Sequence, residues 1–338
     1  MTARIDPPAR AAIPDRAPRA LAETLLRWES VLMMLLAAVF LANALATPWF
    51  LDLYNLADAT YNFSEKAIIA LPMALLIPVR EIDLSVAAVV AVAAMAVGLA
   101  AGQGWSAPAL AAAGLGVGLA CGMLNGALVV GLGAPSIVIT IGAMSLYRGV
   151  AQVSLGDTAL TSFPPAYLAL GQSYLLDWPP TPLSLALFLA LAVVFGVALH
   201  FTAFGRRLFA IGCNPQAARF SGLRVDAIRF WLFALSGLAA GLAAVLLTAR
   251  IGVVRPNIAL GWELDVITMV ILGGVSIAGG LGSIPGVVLA VFILGFATFG
   301  LSLLNVPGIV INVLLGLLLI AVIAAPIVIR RLMAGRRG

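Results

Sequence analysis

Few residues in this chain can do chemistry. It has one histidine, His200, and two cysteines, Cys121 and Cys213, with no CxxC spacing. These do not readily supply an ordinary zinc or haem site, so no metal and no catalytic residue is assigned. His200 ends an apolar run and is read as structural or interfacial. The sole lysine, Lys66, follows Glu65, and no GxxxxGK[ST] stretch occurs. The lysine-bearing nest that holds ATP phosphates is therefore missing, and no cofactor is expected to bind. What remains is a set of acids and small polar groups. Glu81 and Asp83 stand two residues apart at the head of an apolar run, beside Ser85. A charge at the centre of a bilayer costs about 2.5–3.5 kcal/mol on insertion scales, so such acids need a partner or water. One reading is an interfacial turn, its acids favoured by the helix dipole and one neutralised by Arg80. The other is a gate or pathway element. Asn125 and Thr140 in later runs either line a solute path or bond between helices. A proton-coupled carrier would place an acid amid a span, and none is visible at that depth.

The elements that hold these groups follow from composition. Apolar residues make up 63% of 338 positions and charged residues 10%, with a mean hydropathy of +1.13. Soluble domains carry about 25% charged residues, so this surface suits hydrocarbon. The runs are continuous and rich in Ala, Leu and Gly, without the period-two alternation of a membrane barrel. An all-α polytopic protein is expected. Ten apolar segments stand out, at 30–48, 67–79, 85–102, 107–130, 136–153, 183–200, 230–249, 266–280, 286–304 and 309–329. The second and eighth are short and read as broken or re-entrant. Irregular backbone of that kind survives in a membrane only where protein or a water-filled cavity surrounds it. In the fourth segment Gly114, Gly116, Gly118, Gly122 and Gly126 recur at packing intervals. Gly273–Gly274 and Gly279–Gly280 serve packing or a hinge in the eighth.

Basic residues orient the chain. They cluster in the amino-terminal stretch, in the loop 201–229 and after residue 330. Positive residues stay cytoplasmic, and ten spans put all three clusters on one side. Residues 1–29 are expected to be a flexible cytoplasmic tail, 30–329 the membrane domain and 330–338 a basic cytoplasmic tail. Val31 to Thr47 ends in a signal-peptidase-like Ala44-Leu45-Ala46, yet the long polar stretch before it favours an uncleaved first span. The net charge of +5 has no base-stacking aromatics interleaved with it, so nucleic acid is excluded as a partner. The loop 156–182 has Asp157 and Asp177 but no cation, and falls outside. Glu81-Ile82-Asp83 is echoed by Glu263-Leu264-Asp265, and Pro135-Ser-Ile-Val-Ile-Thr140 by Pro307-Gly-Ile-Val-Ile-Asn312. These landmarks fall on opposite faces, as an inverted repeat requires.

The most patterned stretch is the loop Thr202 to Val225. Asn214 can cap a short helix beginning at Pro215, and Gly222 is placed to end it. Its small Ala217, Ala218 and Ser221 permit close approach by another protein. This loop, with Phe204-Gly205-Arg206, Ala210-Ile211-Gly212, Asn214, Ala217-Ala218 and Ser221-Gly222, resembles the coupling-helix region of permeases in the ribose-type carbohydrate ABC importer family. Glu81 to Val86 and Gly261 to Gly280 resemble that family's other hallmarks. Phe63 to Pro72 and Leu304 to Val310 look most like rhamnose-importer permeases. One position departs: Val79-Arg80 stands where a small pair is usual.

The resemblance implies a type II-like importer permease that is not an enzyme, set in a bacterial inner membrane with both termini cytoplasmic. It implies a cytoplasmic ABC ATPase dimer, which binds the ATP, docked on Phe204, Gly205, Arg206, Asn214, Ala217, Ala218, Ser221 and Gly222. A second permease chain, identical or different, and a periplasmic sugar-binding protein complete the assembly. The binding protein would meet an outer face bearing Arg250, Arg255, Glu263 and Asp265. Gate or pathway candidates are Glu81, Asp83, Ser85, Asn125, Thr140, Gly273 and Gly274. The implied solute is a monosaccharide, rhamnose first, then ribose, other sugars or a furanosyl signal of the autoinducer-2 type. A branched-chain amino-acid permease and an ion-coupled secondary transporter are the alternatives.

Overall fold

A computed structural model describes residues 28–320 apart from Asp177, Leu315 and Leu319; of the expected tails, 1–27 and 330–338 lie outside the described residues, and Trp28 and Glu29 are already helical. The order is α1 (Trp28–Ala46), a 3-10 turn (Pro48–Leu51), α2 (Leu53–Leu76) continued by a 3-10 turn (Ile77–Val79), α3 (Val86–Gly102), α4 (Ala107–Leu132) and α5 (Ser136–Leu155). Then come α6 (Pro165–Gln172), a two-stranded antiparallel pair β1 (Tyr174–Leu176) and β2 (Thr181–Pro182), α7 (Leu183–Phe201), α8 (Ala203–Cys213) and α9 (Pro215–Phe220). α10 (Val225–Ile251), α11 (Trp262–Leu272), α12 (Ile284–Leu303) and α13 (Gly308–Leu318) complete the described residues. Among the described residues seven helices are long and apolar enough to cross a membrane, and α3 and α13 are shorter apolar helices.

Each of the ten expected segments contains a helix, but the second was misjudged. α2 is no fragment: it starts at Leu53, where Asp52 caps it by accepting from the Tyr54 and Asn55 N–H groups. Between Leu53 and Lys66 it carries Asn55, Asp58, Asn62, Glu65 and Lys66, which break the apolar run without breaking the helix. The eighth segment is short, as expected. α11 stops at Gly273, and Gly274 takes a left-handed φ of +90°. The small β1–β2 pair in the loop 156–182 was not foreseen.

α2, α3 and α10 form the centre and are buried along most of their length. α4 lies against α10 at backbone contact. A Cβ on Gly118 or Gly122 would overlap the Gly237 or Phe233 carbonyl, and one on Gly237 would overlap that of Gly118. Gly114 and Gly126 join this seam, whereas Gly116 faces open space. Outer helices expose residues such as Val153 and Phe201, which hydrocarbon tolerates.

Long-range bonds sort the loops into two ends. Gly280 N–H donates to the Pro78 carbonyl, Trp28 Nε1 to Leu272, and Arg80 to Gly212 and Cys213. These gather 78–85, 201–224 and 272–283 at one end, which carries the basic loop. At the other, Leu160 bridges Val254, Gln172 donates to the Arg250 carbonyl, and Tyr61 to that of Ser173. α2 and α10 run between these ends in opposite directions. Both finish in a left-handed residue, Arg80 (φ 66°) and Gly252 (φ 68°). α4 and α12 do likewise with Gly133 (φ 63°) and Asn305 (φ 55°), each two residues before a proline. The same number of residues separates the members of both pairs. That recurrence supports two related halves more firmly than the sequence echo.

Candidate functional site: the basic end and the buried polar hub

The loop 202–224 is two helices. Thr202 caps α8 by accepting from Phe204 N–H at 3.1 Å. Gly205, Leu208, Ile211 and Gly212 are its buried face; that 3-3-1 spacing is a helical signal the loop reading missed. Gly205 is there because any Cβ would overlap the Leu199 carbonyl, and Gly212 because one would overlap that of Pro78. α9 is the short helix foreseen: Asn214 Oδ1 accepts from Gln216 and Ala217 N–H, both at 3.0 Å. Gly222 turns the chain at φ +82°.

α9 is small and presents two sides. Ala217, Ser221 and Gly222 are exposed together with Phe204, Arg206 and Asn214. Ala218 points inward and is buried, as is Gly205. Phe220, which the sequence reading passed over, is 93% exposed at the tip. Its signal was an aromatic among small and polar neighbours in a loop.

Beside this surface sits the turn 80–85. Arg80 does not neutralise a carboxylate. Its Nε donates to the Gly212 carbonyl at 2.7 Å and Nη2 to Cys213 at 3.0 Å, a cation on the last carbonyls of α8. Glu81 is instead held by Arg229, whose Nε lies 2.9 Å away but is not aligned for a hydrogen bond. Asp83 Oδ1 accepts from Ser85 N–H and Oγ–H at 3.0 and 2.6 Å, and Oδ2 from Ser236 Oγ at 3.0 Å. Ser85 Oγ accepts from Asn125 at 2.7 Å, and Asn125 Oδ1 accepts from Tyr147 at 2.9 Å. Thr140 donates to Ser136 and contacts the Ile82 carbonyl. Asp83, Ser85, Asn125 and Thr140 are all almost fully buried.

This hub ties α10, the turn, α4 and α5 together. Burial pushes both Asp83 and Glu81 above the ordinary carboxylate value, against the pull of the Ser85 and Ser136 hydroxyls and of Arg229. Asp83 has no cationic partner among the described residues. The structure thus gives Asn125 and Thr140 interhelical bonds, and sets only Glu81 on open space. That space is a cleft of about 480 Å³ shared with Arg80, Ser136, Arg219 and Arg229. Gly273 and Gly274 are elsewhere, packed on Val287 and the Trp28 ring. His200 Nε2 accepts from Ile284 N–H at the start of α12, a structural role.

One reading failed outright. An acid does sit within a span: Glu65 of α2 is fully buried, bidentate to Arg250 at 2.8 and 2.9 Å. Arg250 and Asp265, expected as free outer contacts, are turned onto α2. Arg255 lies at the end opposite the basic loop, along a cleft with Asp157 and Asn257.

Against known proteins, residues 55–323 match the family described as the permease component of the branched-chain amino acid transport system. The chain belongs to that family. It is 34% identical over 304 residues to the autoinducer 2 import system permease protein LsrD of Klebsiella pneumoniae, covering 88% of this chain and 91% of that one. The same-named proteins of Photorhabdus temperata and Escherichia coli K12 are 32% and 34% identical over 311 and 302 residues. They cover 90% and 88% of this chain and 92% and 91% of their own. No solved structure matches. The permease is thus a non-catalytic transport subunit of an ABC importer and a multi-pass inner-membrane protein. Its partners in general are an ATPase and a periplasmic binding protein. The likeness to rhamnose permeases has no counterpart among these relatives.

Proposed function

We propose that the permease passes a furanosyl solute of the autoinducer-2 type into the cytoplasm, driven by an ATPase pair seated on α9. The observation that carries this reading is the 32–34% identity to autoinducer 2 permeases over nearly the whole chain. The basic end faces the cytoplasm, because Arg206, Arg207, Arg219, Arg224 and Arg229 lie on it and positive loops stay inside. Both termini share that side. Two permease chains, identical or different, flank the solute. Movement of α9 reaches the span bundle through Ala218, buried beneath it, and through Arg80, which joins α8 to the turn between α2 and α3.

The solute is tested by uptake into cells lacking their own importers and supplied with the permease, its ATPase and its binding protein. Labelled autoinducer 2 accumulates, and unlabelled autoinducer 2 competes where leucine does not. Competition by leucine alone would return the solute to branched-chain amino acids. Rhamnose is the second reading, favoured by the Phe63–Pro72 stretch, and competition by rhamnose alone would establish it.

A further inference from the structure

Between α2, α11 and α13 the permease holds a cavity lined by both polar and apolar side chains. Its volume is about 250 Å³, and Lys66, Trp262, Asp265, Thr268 and Asn312 line it, with leucines at its rim. A smaller void beside it adds Asn62 and Thr298 from α2 and α12. Lys66 Nζ lies 2.5 Å from Asp265 Oδ2 and 5.3 Å from the centre of the Trp262 ring. Both charged side chains remain about one-fifth exposed. An ion pair left partly open among spans is stable only where water or another polar group reaches it.

Asn312 gives the second observation. It is exposed on α13 among the exposed Ile309, Val310, Val313 and Leu317, and its amide has no hydrogen-bond partner among the described residues. An unpaired amide facing hydrocarbon is strongly unfavourable, so this side of α13 faces something polar.

We propose that this cavity is a solute-contact site for a neutral, hydroxyl-rich molecule of monosaccharide size. Hydroxyls both donate and accept. They can therefore bond to Asp265 and Asn312 without a change of net charge, and an aliphatic ring face can rest on Trp262. A leucine-like solute would leave the polar lining unpaired, which is how such sites reject apolar analogues. The inference rests on the permease reading and names the solute's contacts within it.

The test uses the permease with its ATPase and binding protein in membrane vesicles, with Cys121 and Cys213 replaced by Ala. Asn312→Cys should react with a charged thiol reagent at least about tenfold faster than the adjacent Val313→Cys, because the thiolate forms only where water reaches. Autoinducer 2 supplied with ATP and the binding protein should slow that reaction. Separately, Asn312→Leu should import autoinducer 2 about tenfold more slowly, the loss of one hydrogen bond, with the complex still assembled. Equal reactivity of the two cysteines, no protection by solute, or wild-type import by Asn312→Leu would each overturn the proposal. Failure of the unmodified permease to import autoinducer 2 would instead sink the function proposed above, and the reactivity of the two cysteines would still report on the cavity.

Discussion

Glu65 and Arg250 show how much rests on single side chains. The carboxylate is fully buried in α2 and its partner comes from the end of α10, so the pair ties the two central helices. Removing one member of a buried pair leaves the other charged in a low-dielectric interior, at about 3–5 kcal/mol. Arg250→Ala should therefore lower the unfolding temperature sharply, or abolish folded protein, when the permease is melted in detergent. A loss no larger than that of a surface arginine such as Arg206→Ala would show the pair to be dispensable. Sequence reading had placed Glu65 outside any span. Polar residues between Asn55 and Lys66 depressed the hydropathy of α2, and the partners of Glu65 and Lys66 lie 185 and 199 positions away. The acids Glu81 and Asp83 were found because they stand at the head of a clean apolar run. What each bonds to was not legible, and Arg80 proved to serve α8 and not them. Among the described residues Asp83 Oδ2 accepts only from the Ser236 hydroxyl, so Ser236→Ala should lower stability by about 1–3 kcal/mol, the cost of leaving a buried acceptor unmet, read in the same melt.

At the scale of elements, α9 was legible almost to the residue because its cap, its proline and its terminating glycine are local signals. Which of its residues face out is set by α8 beneath it, and that was not local. Gly205 and Ala218 looked like docking positions, yet both are buried. Bulky replacements at these two should disrupt the fold of the basic end and reduce insertion. Ala217→Trp and Phe220→Ala, in contrast, should leave expression and melting unchanged while ATPase no longer co-purifies. Co-purification at wild-type levels with both variants would remove α9 as the docking element. The α4–α10 seam behaves differently. Its glycines recur at helical spacing and read as packing from the start, and the structure pairs them with Gly237 and Gly241. Gly118→Leu should prevent the two helices from meeting, with loss of folded protein. Gly116→Leu, which meets nothing, should be tolerated.

For the whole molecule, composition alone was enough for an all-α membrane protein, since so little of the surface can face water. The pairing of halves needed backbone geometry: left-handed ends recur at Arg80 and Gly252 and at Gly133 and Asn305, in residues of quite different type. The proposed solute contact was the least legible feature, because Lys66 of α2 and Asn312 of α13 join the Trp262–Thr268 stretch only in the fold. The central claim is that ATP hydrolysis by a partner drives solute through this chain. It is tested most directly by purifying the permease with its ATPase and binding protein into sealed vesicles and following labelled autoinducer 2. Import should require ATP and the binding protein and persist when an ionophore collapses ion gradients. Import that proceeds without the ATPase and stops with the ionophore would contradict the account and make the permease an ion-coupled carrier.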